Sequence, residues 1–155
     1  MKRVLFLIIG LMISLGSFSQ IVTREQFFSA CDSLEIHHPY VVWAQARLES
    51  GNFKSDNYKH KKNCLGIYDS NRKCYASYKS WQECLSAYKT KFQYKCDKDY
   101  TPEVYLQWTD EEYLRWAASK GYAKYPDEYY KSVIQIVNQE KRKDRKNNSG
   151  AHLDQ

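Results

Sequence analysis

The stretch "HPYVVWAQARLESG", residues 38–51, decides the fold, because it predicts one buried helix with a sharp end. Pro39 suits the first turn of a helix, and Gly51 is a common signal for the end of one. The residues between them are apolar on nearly every side, which predicts a helix inside the domain. Glu49 stands in the last turn, and Gln45 lies one turn earlier on the same face. A solvated helix end is the ordinary explanation for a single acid of this kind.

The segments on either side predict further helices and one hairpin. Three helices should open with a capping box, in which Ser or Thr is followed three residues later by Glu or Gln. These boxes are Thr23–Gln26, Ser80–Glu83 and Thr109–Glu112. The expected helices span about 23–34, 39–50, 80–94, a short stretch from Thr101, 109–121 and 126–140. Residues 52–62 are polar and predict a surface loop, whereas "CLGIYDSNRKCYASY", residues 64–78, predicts a short β-hairpin that turns at Ser70–Asn71. The expected fold class is mainly α with a small β-hairpin, an α+β domain.

The first residues have the pattern of a secretory signal peptide. Lys2 and Arg3 precede an apolar run, and Ser17 and Ser19 fit a small-x-small cleavage site, which predicts a cut after Ser19. An uncleaved anchor is the alternative, although the run is shorter than the about 20 residues of a spanning helix. Residues 20–140 are expected to form one folded domain. The charged and polar tail, residues 141–155, is expected to be disordered.

The charge and the aromatic content narrow the class of partner. The chain has a formal net charge of +6, and it contains 14 tyrosines, whose rings can stack against sugars. A mildly basic exported protein suits an anionic surface such as a cell wall. Nucleic acid is not an expected partner, because export would separate the chain from it. No membrane-spanning segment is expected after signal cleavage, and the chain is expected to be a monomer.

The five cysteines do not form a metal-binding pattern. Their odd number leaves at least one thiol free, and no CxxC occurs. The adjacent His37 and His38 have no cysteine or acid at ligand spacing, so neither a zinc site nor a cofactor is expected. Any disulfide should join separate elements, such as Cys31 or the hairpin to the helix of Cys84. A bridge between Cys64 and Cys74 is not expected, because the two side chains would face apart or lie out of register.

Four segments, in order, resemble the bacterial glucosaminidase family of peptidoglycan hydrolases, glycoside hydrolase family 73, which has a lysozyme-like fold. They are "AQARLESGNFKS" (44–55), similar to AQAxLESGWGxS; "NCLGIY" (63–68), similar to NxFGI; "YASYKSWQECLSAY" (75–88), similar to FxxYxSWxESxxDY; and "GYAKYP" (121–126), similar to GYATDP and followed by "YYKSVIQIV" (129–137), where the family has YAxKLxxII. The sequence departs from these patterns at Asn52, Phe53, Leu65, Lys124 and Tyr125, and one extra residue precedes Tyr129. The departures bear on substrate preference more than on the fold.

The resemblance implies that residues 20–140 form a glucosaminidase-like catalytic domain with Glu49 as its acid. The sequence supports this independently. A glycosidase needs a carboxylic acid that stays protonated near neutral pH. Burial beside Trp43 and Leu48, together with the negative end of the helix dipole, should raise the pKa of Glu49. Gln45 could then orient the acid or bind a sugar, with capping of a polar pocket as its alternative role.

A second catalytic group is harder to identify. Asp69 is the one acid in the predicted hairpin, and a role as a turn residue is favoured over catalysis. Glu83 is better explained as a cap, and the 2-acetamido group of a substrate could supply the nucleophile instead. Tyr122 matches the family's functional tyrosine, with core packing as the alternative. The candidates for substrate contact are Asn63, Tyr68, Tyr75 and Tyr78, where the tyrosines could equally pack the hairpin.

The function expected from these residues is a secreted or periplasmic bacterial enzyme that cleaves the β-1,4 glycan strands of peptidoglycan, as an endo-β-N-acetylglucosaminidase. A muramidase or lytic transglycosylase is one alternative, since these also use a Glu in an "ESG" context. They usually carry a GLMQ-like motif later, where this chain has "NCLGIY". A non-catalytic peptidoglycan-binding or structural protein is the alternative from another class, favoured by the short hairpin.

Overall fold

The computed structural model describes residues 22–122 and 125–150, so the predicted signal peptide and residues 151–155 lie outside the described part. The helices are α1 Arg24–Ser33, α2 Pro39–Glu49, α3 Asp56–Lys61, α4 Trp81–Tyr88, α5 Tyr94–Asp99, α6 Pro102–Tyr105, α7 Asp110–Ala117 and α8 Pro126–Gly150. Two strands, β1 Tyr68–Asp69 and β2 Cys74–Tyr75, form an antiparallel pair between α3 and α4. This confirms the predicted fold class. Within the described residues, no helix is both long enough and apolar enough to span a membrane.

Helix α2 forms the centre of the domain, as its apolar sequence predicts. One of its faces packs into a core with α1, the hairpin and α4, where Val42 and Ala46 are fully buried. The other face packs against α7 and α8 through Val41 and Ala44, which are also fully buried. Because α2 contributes to both cores, its last residue, Glu49, is held by the whole domain rather than by one loop.

Two helices contain a π-helical turn, a feature that often occurs at functional sites. The first π-turn, Lys89–Gln93, joins α4 to α5 without a break, so the helix expected to end near Tyr94 continues to Asp99. The second π-turn, Ala118–Tyr122, follows α7 directly. Both turns approach the hairpin, where they meet a cavity described below.

The predicted helix starts are correct, with one difference in detail. Capping boxes form at Thr23 and Thr109, where the side chain and backbone of the third residue exchange hydrogen bonds with the cap. Ser80 accepts from the backbone of Glu83, but the Glu83 carboxylate turns to the backbone nitrogen of Lys79 instead. Ser80 is therefore a simple cap rather than half of a box.

The expected surface loop at residues 52–62 is wrong in part, because it contains α3. Ser55 caps this short helix by accepting a hydrogen bond from the backbone of Tyr58. Tyr58 is 3% exposed and anchors the helix to the core, next to Phe53. One buried aromatic in a polar segment gives no helical periodicity, which explains why the sequence pattern did not predict α3.

The prediction that a disordered tail begins at residue 141 is wrong for residues 141–150, because α8 continues to Gly150. Lys141 pairs with Asp110 at 2.5 Å, and Asp144 pairs with Arg24 at 2.5 Å. The Tyr40 hydroxyl also donates to Asp144. These partners lie far away in sequence, so the basic composition alone could not indicate them.

The hairpin differs from the expectation in the length of its turn. Asp69 lies opposite Cys74, so four residues rather than two or three connect the strands.

All five cysteines are free thiols, and the disulfide that the sequence allowed is absent from the structure. Cys64 and Cys84 are both fully buried, and the Cys84 sulfur lies 3.6 Å from the amide oxygen of Asn63.

Candidate functional site

The site is built around Glu49, which ends α2 as a half-buried side chain. Gly66, in the loop before β1, covers its carboxyl group. A Cβ atom placed on Gly66 would lie 2.5 Å from Glu49 Oε2 and 3.0 Å from Cδ. Only a residue without a side chain can approach so closely. Gly66 also has a φ of +61°, in the left-handed region that favours glycine.

Burial raises the pKa of Glu49 above its ordinary value, and an interaction with Tyr129 of α8 opposes the shift in part. The raised pKa and its cause, burial, were both expected. The expected neighbour Leu48 is 39% exposed, however, and the groups that lie close to the carboxyl are Gly66 and Tyr129. A carboxyl group in this setting keeps its proton to a higher pH than a solvated one, as a general acid requires.

Tyr129 is a functional candidate that the sequence did not single out. It is 9% exposed, and its hydroxyl has no hydrogen bond of standard geometry within the described part of the chain. The hydroxyl nevertheless faces Glu49, and burial raises the pKa of Tyr129 far above its ordinary value. It therefore stays neutral and can donate toward the carboxylate. Tyr129 lies on a different helix from Glu49, and no local pattern links the two.

Gln45, predicted to contact substrate or orient the acid, is fully buried behind the site. Its amide oxygen accepts from Tyr88 at 3.1 Å, and the Tyr88 hydroxyl lies 3.0 Å from that of Tyr113. A fully buried side chain is closed to a sugar in this structure, which favours the alternative role of Gln45, as part of a buried polar network.

Asn63, the second predicted contact, is also fully buried and clamps the loop that carries Gly66. Its amide nitrogen donates to the backbone oxygens of Ile67 at 2.8 Å and Ala76 at 3.0 Å. Its amide oxygen accepts from the backbone nitrogen of Ile67 at 3.0 Å. Asn63 thus holds Gly66 against Glu49, and its burial favours this role over the predicted substrate contact.

Tyr122, the predicted functional tyrosine, combines a packing role with an exposed edge. Its hydroxyl donates to the backbone oxygen of Leu65 at 2.7 Å, next to Gly66. Its ring packs against Phe92 at 4.9 Å and Tyr129 at 5.5 Å between centroids. Burial keeps the pKa of Tyr122 well above its ordinary value, so the phenol stays neutral. The second π-turn therefore fixes the loop over the acid.

The three hairpin tyrosines divide between the two roles that were predicted. Tyr68 and Tyr75 are 51% and 49% exposed and form an edge-to-face pair across the strands, 5.8 Å between centroids. They offer an aromatic surface to solvent. Tyr78 is partly buried and packs against the core, and burial raises its pKa to about 12. Its position fits the packing alternative.

Asp69 takes the turn role that was favoured. Its Oδ1 accepts from the backbone nitrogens of Asn71 at 3.0 Å and Arg72 at 3.2 Å, and its Oδ2 lies 3.6 Å from Arg72 Nε. These contacts stabilise the connection between the strands. They leave Asp69 engaged with the backbone and a cation.

A cavity of about 550 Å³ lies between the hairpin and the two π-turns and is called the hairpin cavity here. Its lining residues are Leu65 to Asn71, Lys91, Phe92, Lys95, Lys120 and Tyr122. Gly66 and Tyr122 belong both to this lining and to the surroundings of Glu49. Among the described residues, Asp69 is the one carboxylate in the lining, and no group of three or more His, Cys, Asp or Glu could hold a metal.

The comparison with protein families identifies the class of enzyme. The model of the Glucosaminidase family, described as mannosyl-glycoprotein endo-beta-N-acetylglucosaminidase, matches residues 25–142. The chain belongs to this family. The match covers both cores, the acid on α2 and the hairpin cavity, which confirms the resemblance of the four segments and assigns the chain to the glycoside hydrolases. No curated protein and no solved structure gives a significant match to the chain.

Within the glucosaminidase, sequence reasoning missed Gly66 and Tyr129. Gly66 had a usable signal, because it is the glycine of the "NCLGIY" segment, and a glycine beside a buried acid suggests close backbone approach. Tyr129 also had a signal, because it begins the "YYKSVIQIV" stretch (129–137) that follows the fourth matching segment, but that match assigned it no role and its partner lies on α2.

Proposed function

We propose that this glucosaminidase is an exported bacterial enzyme that hydrolyses the β-1,4 glycan strands of peptidoglycan after N-acetylglucosamine, with Glu49 as the general acid. The observation that carries the proposal is the pairing of a half-buried carboxyl, whose pKa is raised, with a loop held over it by Asn63 and Tyr122. A rigid, partly desolvated acid is what protonation of a glycosidic oxygen needs.

In the proposed reaction, the protonated Glu49 donates its proton to the glycosidic oxygen as the C1–O bond breaks. The leaving sugar departs with a new hydroxyl group, and positive charge develops at C1 and the ring oxygen. Glu49 is then a carboxylate. It takes a proton from the water that later attacks C1, which restores the acid for the next cycle.

The nucleophile in this proposal is the 2-acetamido group of the substrate. Its carbonyl oxygen attacks C1 as the leaving group departs, and water then opens the cyclic intermediate. Support comes from Asp69, which is engaged with the hairpin turn and Arg72. A double displacement through the substrate retains the anomeric configuration, so the first product should be the β-anomer.

Digestion of purified sacculi tests the proposal. After borohydride reduction, mass spectrometry should find fragments that end in reduced N-acetylglucosamine. Reduced muramic acid ends would indicate a muramidase, and anhydromuramic ends a lytic transglycosylase. Sacculi that release no fragments while still binding the protein would favour a non-catalytic peptidoglycan-binding protein. N-terminal sequencing of protein from the producing cell tests export, with Gln20 expected as the first residue.

A further inference from the structure

One wall of the hairpin cavity is cationic. Lys91 in the first π-turn, Lys95 in α5 and Lys120 in the second π-turn all line it. Lys120 is neutralised by Asp99, whose carboxylate lies 2.5 Å from its ammonium group. Within residues 22–122 and 125–150, no carboxylate lies within 4.0 Å of the ammonium groups of Lys91 or Lys95. Two positive charges therefore line the cavity without an ion-pair partner among the described residues, since Asp69, the carboxylate in the lining, pairs with Arg72.

The π-turn between α4 and α5 carries Lys91 and contacts Lys95. The Lys95 ammonium lies 5.3 Å from the centre of the Phe92 ring, a cation–π distance. Phe92 itself packs against Tyr122 and Tyr88 at 4.9 and 5.4 Å between centroids. The cationic wall thus rests on the same aromatic cluster that holds the loop over Glu49.

We propose that Lys91 and Lys95 bind a carboxylate on the substrate, carried by the lactyl arm of the muramic acid next to the cleaved bond. The proposal rests on the function proposed above and adds a specificity site to it. N-acetylglucosamine is uncharged and leaves both ammonium groups unpaired. In peptidoglycan every second sugar carries a lactyl arm, which ends either in its own carboxylate or in a peptide that bears carboxylates.

The cavity and the acid share two neighbours. Gly66 and Tyr122 line the cavity and also adjoin Glu49, so a strand that binds in the cavity contacts the residues that cover the acid. An anion there also relieves the repulsion between two like charges on neighbouring helical turns. The exposed Tyr68, on the opposite wall, offers its ring to the same sugar.

The test compares three strand preparations that share the same sugars. The first carries intact stem peptides, the second has been stripped by an amidase to free lactyl carboxylates, and the third is the stripped strand with its carboxylates converted to amides. Dissociation constants are measured in a Glu49→Gln background, which prevents turnover. The variant is Lys91→Gln with Lys95→Gln, and the control is Lys98→Gln with Lys131→Gln, two exposed lysines outside the cavity.

The variant that carries both Lys91→Gln and Lys95→Gln should bind a charged strand about 5- to 20-fold more weakly, since each exposed ion pair contributes up to about 5-fold in affinity. Its affinity for the amidated strand should be unchanged. The control variant should bind all three strand preparations as tightly as the Glu49→Gln protein does. A loss of affinity for the stripped strands identifies the lactyl carboxylate as the bound group. A loss of affinity confined to the peptide-bearing strands identifies a peptide carboxylate.

The carboxylate site is overturned if the affinity of the Lys91→Gln, Lys95→Gln variant falls equally for charged and amidated strands. It is also overturned if the affinity falls for none of the strands. Failure of the wild-type enzyme to release fragments from sacculi is a separate result, because it contradicts the proposed function without affecting the binding comparison.

Discussion

Gly66 lies so close to Glu49 that a Cβ atom on residue 66 would stand 2.5 Å from the Oε2 atom of the carboxyl. The loop that carries Gly66 is in turn fixed by the buried amide of Asn63 and by the Tyr122 hydroxyl. The acid and its cover are therefore one rigid unit, assembled from α2, the hairpin and the second π-turn. Several of the expected effects below depend on this unit.

Gly66→Ala should abolish most activity while leaving a folded protein. The new methyl group must displace the Glu49 carboxyl, and a misplacement of about 1 Å can cost about 100-fold in rate. The left-handed φ of +61° adds strain of about 1–2 kcal/mol to the folded state. Activity on peptidoglycan and urea unfolding would measure the two effects separately.

Gly51→Ala is the matched control for this substitution. Gly51 has a φ of +57°, but a Cβ there would meet only Ser55, at 3.7 Å, an ordinary contact. The control should lose similar stability and little activity. If both variants lose activity in proportion to their stability, the contact between Gly66 and Glu49 has no catalytic importance.

Glu49→Gln should reduce the rate on peptidoglycan by at least about 10²–10⁴-fold, because the amide cannot donate the proton. Asp69→Asn should cost far less, since Asn can keep the turn contacts and the acetamido group supplies the nucleophile. Both rates can be read from the release of reducing ends. Near wild-type activity in Glu49→Gln would falsify the assignment of the acid.

The same substitution should change stability in a way that depends on pH. The folded state raises the pKa of Glu49 above its ordinary value of 4.5, so it binds the proton more tightly than the unfolded chain does. The wild type therefore loses stability relative to Glu49→Gln as pH rises from 4.5 through the folded pKa. Urea unfolding should show no such change below the ordinary pKa. A difference that is constant across this window would indicate that Glu49 titrates normally.

Tyr129→Phe should move the alkaline limb of the pH–rate profile to higher pH. The Tyr129 hydroxyl lowers the pKa of Glu49, so its removal leaves burial unopposed and the acid keeps its proton longer. Stability should change little at a pH where Glu49 is protonated, because the lost hydroxyl has no hydrogen bond of standard geometry within the described residues. Tyr130→Phe is the control, since the Tyr130 hydroxyl contacts Arg115 and Glu111. If the alkaline limb of the pH–rate profile is unchanged in Tyr129→Phe, Tyr129 does not influence the acid.

The sequence predicted those elements whose signals are local. Helix α2 begins at Pro39 and ends at Glu49, as the flanking proline and glycine indicate. The cap residues Thr23 and Thr109 are also local signals, and both form capping boxes. Glu49 was found because its sequence context is an apolar helix followed by glycine, and the matching family motif agrees.

Features that depend on distant partners were not predictable. Gln45 and Asn63 lie in matching motifs, but a motif does not tell whether a side chain faces substrate or the core. Gln45 is drawn inward by Tyr88, 43 residues away, and Asn63 by the backbone of Ala76. The continuation of α8 beyond residue 140 is supported by Asp144, which meets Arg24 across 120 residues. The composition of the residues around position 144 does not indicate that partner.

Cys74 should be the one cysteine that reacts with a thiol reagent in the folded protein. It is exposed on β2, whereas Cys31, Cys64, Cys84 and Cys96 are buried. Burial also raises the pKa of Cys31 to about 12, which suppresses the reactive thiolate. Mass spectrometry after brief labelling should find one modification before unfolding and five after it. Fewer than five in the unfolded, unreduced protein would reveal a disulfide.

Truncation after Glu140 should lower the melting temperature by several degrees, contrary to what a disordered tail implies. The shortened chain loses Asp144, which pairs with Arg24 and Tyr40, and Lys141, which pairs with Asp110. Partly exposed pairs contribute up to about 1 kcal/mol each, and about 1 kcal/mol corresponds to roughly 2–4 °C in a chain of this size.

Truncation after Lys146 keeps all of these partners and should leave the melting temperature nearly unchanged. The gap between the two truncations should narrow in high salt, because screening weakens exposed ion pairs. Equal melting temperatures for both truncations would mean that residues 141–146 do not stabilise the domain.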